Sequence, residues 1–331
     1  MLINRILLRS GLGLTMSLGM MLFPSCGGAK TSGGDDSIPS ENVETTGIPD
    51  FNPDSAYNFV KKQVDFGPRV PNSEAHRRAG DWLVSTLRAS GGEVTEQTMT
   101  LTAFDGTPLE SRNIFASFNP DAEKRLLLLA HWDCRPWADE DENPALRRRP
   151  VDGANDGASG VGVLLELARL MGRNPLPEGK GVDILLVDAE DWGTDNNEES
   201  WAMGTRYFVN NPVKDGYKPS EGILLDMVGS KDATFYKEYF SETASPRLNA
   251  EIWSIASSLG FGNMFIPQIG SAVTDDHRPL IDAGIPTIDI LDYRNGKGFD
   301  PVWHTASDNM DNISSETLGS VGKVLTHYIW K

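Results

Sequence analysis

Six short polar strings interrupt the apolar runs of this chain, and they hold three of its five histidines. They are His131-Trp132-Asp133, Asp156, Asp188-Ala189-Glu190-Asp191, Asp226, Asp275-Asp276-His277 and Trp303-His304. Taken singly, each has an ordinary explanation. Asp156 precedes an apolar helical stretch and reads as an N-cap. Glu190 and Asp191 read as solvated loop acids, Asp226 as a turn residue, and His277 as a helix-start residue with local hydrogen bonds. Outside the strings, His76 reads as surface and His327 as part of an amphipathic helix. Taken together, the strings say more. Carboxylates crowded at one place repel each other and shift each other's pKa values, and a bound cation removes the conflict. Histidine with carboxylates suits zinc, with about three protein ligands and an open position when the role is catalytic. Imidazole ligation makes Mg²⁺ and Ca²⁺ the poorer fit.

The strings gain this meaning from the elements that carry them. Leu126–Ala130 and Ile223–Leu225 are short apolar runs, and Val182–Val187 and Pro286–Leu291 mostly apolar ones, the pattern of strands covered on both faces. Segments with helical apolar spacing separate them: 157–171, a short helix around Tyr207, 248–259 and 276–283, with 315–330 closing the chain. Ahead of them come a short helix over 54–63, a longer one capped by Ser73 and ended at Gly91-Gly92, and two edge-type strands, 93–104 and 112–118. Buried strands alternating with helices predict an α/β fold, a three-layer α/β/α sandwich around a mostly parallel mixed sheet. In such sheets ligands bind beyond the carboxyl ends of the strands, which is where His131, Asp188–Asp191 and Asp226 fall. No linker appears within 50–331, so 48–331 reads as one catalytic domain.

At these positions the chain resembles the glutaminyl-peptide cyclotransferases (glutaminyl cyclases) of the bacterial branch, which share a fold with dinuclear zinc aminopeptidases. The resemblance runs from about residue 54 to 330 and rests on AHWDCRPWAD (130–139), DGANDGASGVGVLLELA (152–168), LLVDAEDWG (185–193), ILLDMVG (223–229), DDHRPLIDAGIP (275–286) and VWHTASDN (302–309). It implies a zinc-aminopeptidase-like fold and one Zn²⁺ per chain, held by Asp156, Asp191 and His304. It implies Glu190 as general acid and base, Asp226 and Asp275 as the carboxylate network around it, and Trp303 as a pocket wall. Trp192 and Trp201 both compete for the role of a second pocket tryptophan. The chain departs from the pattern in having Asp191 where many members have Glu, and Asp289 where the animal enzymes have His. The implied reaction closes an N-terminal glutamine to pyroglutamate with release of ammonia, on peptides and proteins. The rival is an aminopeptidase of the same fold with two metals. His131 and Asp226, beside Asp156, Asp191 and His304, retain ligands for it, so His131 is either a second-metal ligand or an outer partner of the site. Asp275 tilts the expectation to the cyclase, because a carboxylate there can hydrogen-bond to Asp226 and disengage it from a second ion. A metal-free binding lipoprotein is the third reading, and the presence of Glu190 argues against it.

Composition sets the outer limits. The 331 residues carry 30 Lys plus Arg against 47 Asp plus Glu, a formal net charge of −17 that repels nucleic acid and anionic headgroups. The first 25 residues read as a signal peptide: Arg5 and Arg9 precede an uncharged stretch from Leu12 to Phe23 that is short for a membrane span. Ser25-Cys26-Gly27 resembles a bacterial lipoprotein processing site, with an ordinary cleaved signal peptide as the plainer alternative. Residues 26–47 then form a lipid-bearing cysteine and a polar linker. The expectation is an exported protein anchored to the cell envelope through Cys26 alone, leaving Cys134 without a disulfide partner. Oligomeric state is not readable from the sequence.

Overall fold

The computed structural model describes residues 47–294 and 296–331. The signal peptide, Cys26 and nearly all of the linker lie outside the described residues. Among the described residues no helix is long and apolar enough to cross a membrane.

Two helices open the fold, α1 (Pro53–Val64) and α2 (Glu74–Ala89). The Ser73 side chain caps α2 by accepting from the His76 N–H. The central sheet follows: β1 (Glu93–Thr102), β2 (Pro108–Phe118), β3 (Lys124–His131), β4 (Lys180–Val187), β5 (Glu221–Asp226) and, later in the chain, β8 (Thr287–Leu291). Its spatial order is β1-β2-β4-β3-β5-β8, with β4, β3, β5 and β8 parallel and β1 and β2 added antiparallel. The expected edge strands therefore differ in kind. Of the two, β1 lies at an edge of the sheet, whereas β2 is paired on both sides and almost wholly buried over its second half. Interleaved are α3 (Ala158–Met171), α4 (Met203–Asn210), β6 (Phe235–Lys237), α5 (Tyr239–Ala244), α6 (Pro246–Ser258), β7 (Phe265–Ile269), α7 (His277–Asp282) and α8 (Ser315–Trp330). The β6/β7 pair and α5 are additions to the sequence expectation. All three are too short to show a period.

The alternation of side chains along β3 separates the layers. Leu126, Leu128 and Ala130 face a core shared with α1, α2, α3, α6 and α8, while Leu127 and Leu129 face a smaller one with Phe208 of α4 and Leu280 of α7. Helices thus cover both faces of a mixed, mostly parallel sheet. Each buried leucine of β3 contributes roughly 1.5–3 kcal/mol of burial, enough to hold the register that delivers His131, the last residue of β3, to the carboxyl edge.

Candidate active site

At that edge the predicted residues meet. His131 ends β3, Asp226 ends β5, and Glu190–Asp191 follow β4. His131 Nε2 is 2.9 Å from Asp156 Oδ1 and 3.2 Å from Asp226 Oδ1. His304 Nε2 is 3.1 Å from Asp191 Oδ1 and 3.6 Å from Asp156 Oδ2. Asp156 therefore presents one oxygen to each histidine. Two trios with metal-ligand spacing result, Asp156–Asp191–His304 and His131–Asp156–Asp226, both buried.

Asp156 is not an N-cap. The cap of α3 is Gly157, at φ +96°, and no side chain bonds the helix start. A Cβ at 157 would sit 2.4 Å from the Asp133 carbonyl, so only glycine allows the turn that aims Asp156 away from its helix. Asp308 holds the turn from below, accepting the Asn155 and Asp156 N–H groups at 2.7 and 3.1 Å. Beside the other acids the backbone is left-handed at non-glycine residues: Ala189 at φ +55° before Glu190, Met227 at +47° after Asp226, and His304 itself at +55°. Each costs roughly 1–2 kcal/mol, strain that clusters where side chains must be aimed.

The sequence assigns Asp133 no role of its own. It accepts the Glu190 N–H on Oδ1 (3.2 Å) and the Asp191 N–H on Oδ2 (3.3 Å), fully buried, with Oδ1 3.5 Å from His131 Nδ1. One carboxylate thereby ties the loop after β4 to the end of β3. Its signal was its place two residues after His131, on the same side of an extended chain.

Burial and like charge dominate the electrostatics. Burial first, then the negative charges of Asp275, Asp191 and Asp276, push the Glu190 carboxyl well above the usual carboxylate range, with His131 opposing. Asp275 is raised to about 7 by burial and then Asp226, and Asp191 to about 6 by burial and then Asp156. Burial also raises Asp226, beside His131. Asp156 goes the other way: burial would raise it, but the hydrogen bond to His131 and the charges of both histidines outweigh that. The hydrogen-bond partner of Asp226 is His131 rather than Asp275. Asp275 instead accepts the Asp276 N–H, and its charge reaches Asp226 through space.

Above these groups opens a cavity of about 290 Å³ lined by Asp156, Glu190, Asp226, Asp275, Trp201 and Trp303, among others. Trp303 stacks on His304 (3.6 Å between centroids) and on Phe299 (4.3 Å). Of the two competing tryptophans, Trp201 lines this cavity, while Trp192 is buried against Ala103, Leu109 and Ala189 behind it. Trp201 lies flat on Gly193, where a Cβ would meet the indole at 2.0 Å. The readings of His76 and His277 need correction. His76 is buried, bonded to Asp188 at 2.9 Å and stacked on Trp132. His277 is fully buried, with Nε2 3.1 Å from Glu238 and Nδ1 3.6 Å from Asp289, so its partners are distant in sequence. Cys134 is buried and free, its thiol raised to about 12 by burial.

Does a metal fit? Both Asp191 oxygens are buried without a hydrogen-bond partner, with Oδ1 facing His304 Nε2. Orphaned carboxylate oxygens facing an imidazole nitrogen are what a cation would satisfy. Fold and site together define a class, the α/β/α metalloenzymes that work at the carboxyl edge of a mixed sheet. The comparisons narrow it. The model of Peptidase family M28 matches residues 113–329, and the chain belongs to that family. Among solved structures it is 51% identical to a Porphyromonas gingivalis glutaminyl cyclase (TM-score 0.82, covering 84% of this chain and 97% of that one). It is 46% identical to the Bacteroides thetaiotaomicron glutaminyl cyclase bound to N-acetylhistamine (TM-score 0.84, 86% and 99%). It is 48% identical to a protein described as a Zn-dependent exopeptidase from Parabacteroides distasonis (TM-score 0.84, 86% and 100%). The curated aminopeptidase YwaD of Bacillus subtilis matches at 27% identity over 80% of this chain, which spans about half (54%) of that protein's length.

Proposed function

We propose that the chain is a zinc-dependent glutaminyl-peptide cyclotransferase, closing the N-terminal glutamine of peptides and proteins to pyroglutamate with release of ammonia. The observation that carries this reading is the buried Glu190 facing the same cavity as Asp156, Asp226 and Asp275, in a chain 46–51% identical to glutaminyl cyclases.

In the proposed site Asp156, Asp191 and His304 hold one zinc. When bound, it supplies a Lewis acid that polarises the side-chain amide carbonyl. The rest falls to the protein. The cavity's negative charge attracts the ammonium end of a peptide. Trp201 and Trp303 form flat walls that hold the glutamine side chain turned back on its own amine, so the substrate supplies most of the proximity. Glu190, once ionised, takes a proton from the α-amine as the nitrogen bonds to the amide carbon, and returns it to the departing nitrogen. Its raised pKa suits both halves of that exchange. The charge of Asp275 helps to keep it raised, and Asp226 lines the same cavity as the rest of the carboxylate network. Incubation with a glutamine-initiated peptide, read by mass, tests the reading. Loss of one ammonia supports it. Loss of a whole residue supports the aminopeptidase instead, for which His131–Asp156–Asp226 retains a second ligand set.

For the N-terminal segment we infer export and lipid anchoring to the cell envelope through Cys26. Fatty-acid labelling of the wild type and Cys26→Ala tests it: label on both removes Cys26 as the anchor.

A further inference from the structure

His304 turns Nε2 towards Asp191 and Asp156, so a metal on that nitrogen leaves the proton on Nδ1. The carboxylate facing Nδ1 is Asp139, whose Oδ1 lies 3.6 Å away. Asp139 is in turn held by the Arg135 guanidinium through a two-pronged pair, Nε to Oδ1 at 3.0 Å and one terminal nitrogen to Oδ2 at 2.6 Å. The other terminal nitrogen of Arg135 donates to the carbonyl oxygens of Asp191 (3.1 Å) and Gly193 (2.9 Å). The guanidinium also sits 5.0 Å from the centre of the Trp201 ring, which stacks on His304. One buried cation thus touches the main chain of one candidate ligand, the carboxylate facing another, and the ring packed over that second ligand.

We propose that Arg135 and Asp139 are a positioning pair for the metal. Asp139 fixes the tautomer and tilt of His304, and Arg135 locks Asp139 and the Asp191 backbone to a common anchor. Neither touches the substrate cavity, so both act through the ligands. Asp139 opens on a neighbouring cleft with Phe104 and Trp137 that shares Trp201, Trp303 and His304 with the substrate cavity, and its side chain is 38% exposed. The inference rests on the zinc reading above, with Asp156, Asp191 and His304 as ligands.

The test uses the purified full-length protein and metal alone. Asp139→Asn keeps the shape and removes the charge. Zinc affinity by chelator competition should fall about 10- to 100-fold, the usual effect of removing an outer partner of a ligand histidine. The visible absorption bands of the Co²⁺-loaded protein should shift, and the metal-free melting temperature should fall as well, because Asn leaves the buried Arg135 guanidinium without its counter-charge. Asp139→Glu should recover part of the affinity. Wild-type zinc affinity with an unchanged cobalt spectrum in Asp139→Asn overturns the proposal. So does a loss of affinity with an unchanged cobalt spectrum, since that is general loosening rather than a change at the ligand. None of these readouts depends on the reaction catalysed. Full zinc retention by His304→Ala would instead remove the ligand reading beneath the pair.

Discussion

The two ends of the parallel strands treat buried acids in opposite ways. Near the amino ends, Asp183 is fully buried and fully engaged: Arg125 donates to both of its oxygens at 2.6 Å, Ser117 to one at 2.7 Å and Tyr217 to the other at 2.8 Å. At the carboxyl ends, Asp191 is equally buried, yet neither oxygen has a hydrogen-bond partner, and burial with the negative charge of Asp156 beside it outweighs the facing His304 and Arg135. Burial alone therefore does not mark a site. An acid that is buried, crowded by its own kind and left without donors does, because folding has not neutralised it and a ligand can.

The comparison can be broken in four places. Asp183→Ala strands a nearly buried guanidinium and should destabilise the fold by about 3–5 kcal/mol, seen in denaturant melts, with the kinetics of the remaining folded enzyme unchanged. A small stability loss would mean that Asp183 is not the structural counterpart claimed here. Glu190→Gln should do the reverse, keeping zinc content and melting temperature while turnover falls at least about 100-fold; an active variant removes Glu190 as acid and base. His304→Ala should strip the metal, read by elemental analysis after dialysis, with little change in the metal-free melt.

The smallest effect is a slope. Asp191 and Asp275, raised to about 6 and about 7, stay protonated in the folded metal-free protein while their unfolded counterparts ionise. The stability this gives is complete below the ordinary carboxylate range and is lost as pH climbs from about 4 to about 7. Thermal melts of the metal-free protein should show that decline, and Asp275→Asn should flatten part of it. A melting temperature rising through the window would contradict the raised values.

Much of the site was legible because its residues fall where apolar runs stop, a signal that survives in one dimension: His131, Asp226 and the Glu190–Asp191 pair all sit at or just past strand ends. The sheet was legible for the same reason. What escaped depends on partners far along the chain. His76 meets Asp188 112 residues away, although it shares the face of α2 with Ala79, Leu83 and Leu87 and could have been caught by that spacing. Asp133 serves main-chain N–H groups 57 and 58 residues on; its place two residues after His131 hints at the site but not at those partners. Trp192 and Trp201 are too close in sequence for spacing to choose between them; the fold puts Trp201 on the cavity, seated over Gly193, and buries Trp192.

The left-handed residues at 189, 227 and 304 carry a consequence for use of the enzyme at high temperature. They are held off their preferred conformations by the packed sheet beneath them, so as that grip weakens on warming, these loops are the first to relax. Heat should then silence the catalyst some degrees before the molecule melts, and shelf life will be governed by the rim of the sheet rather than by its centre.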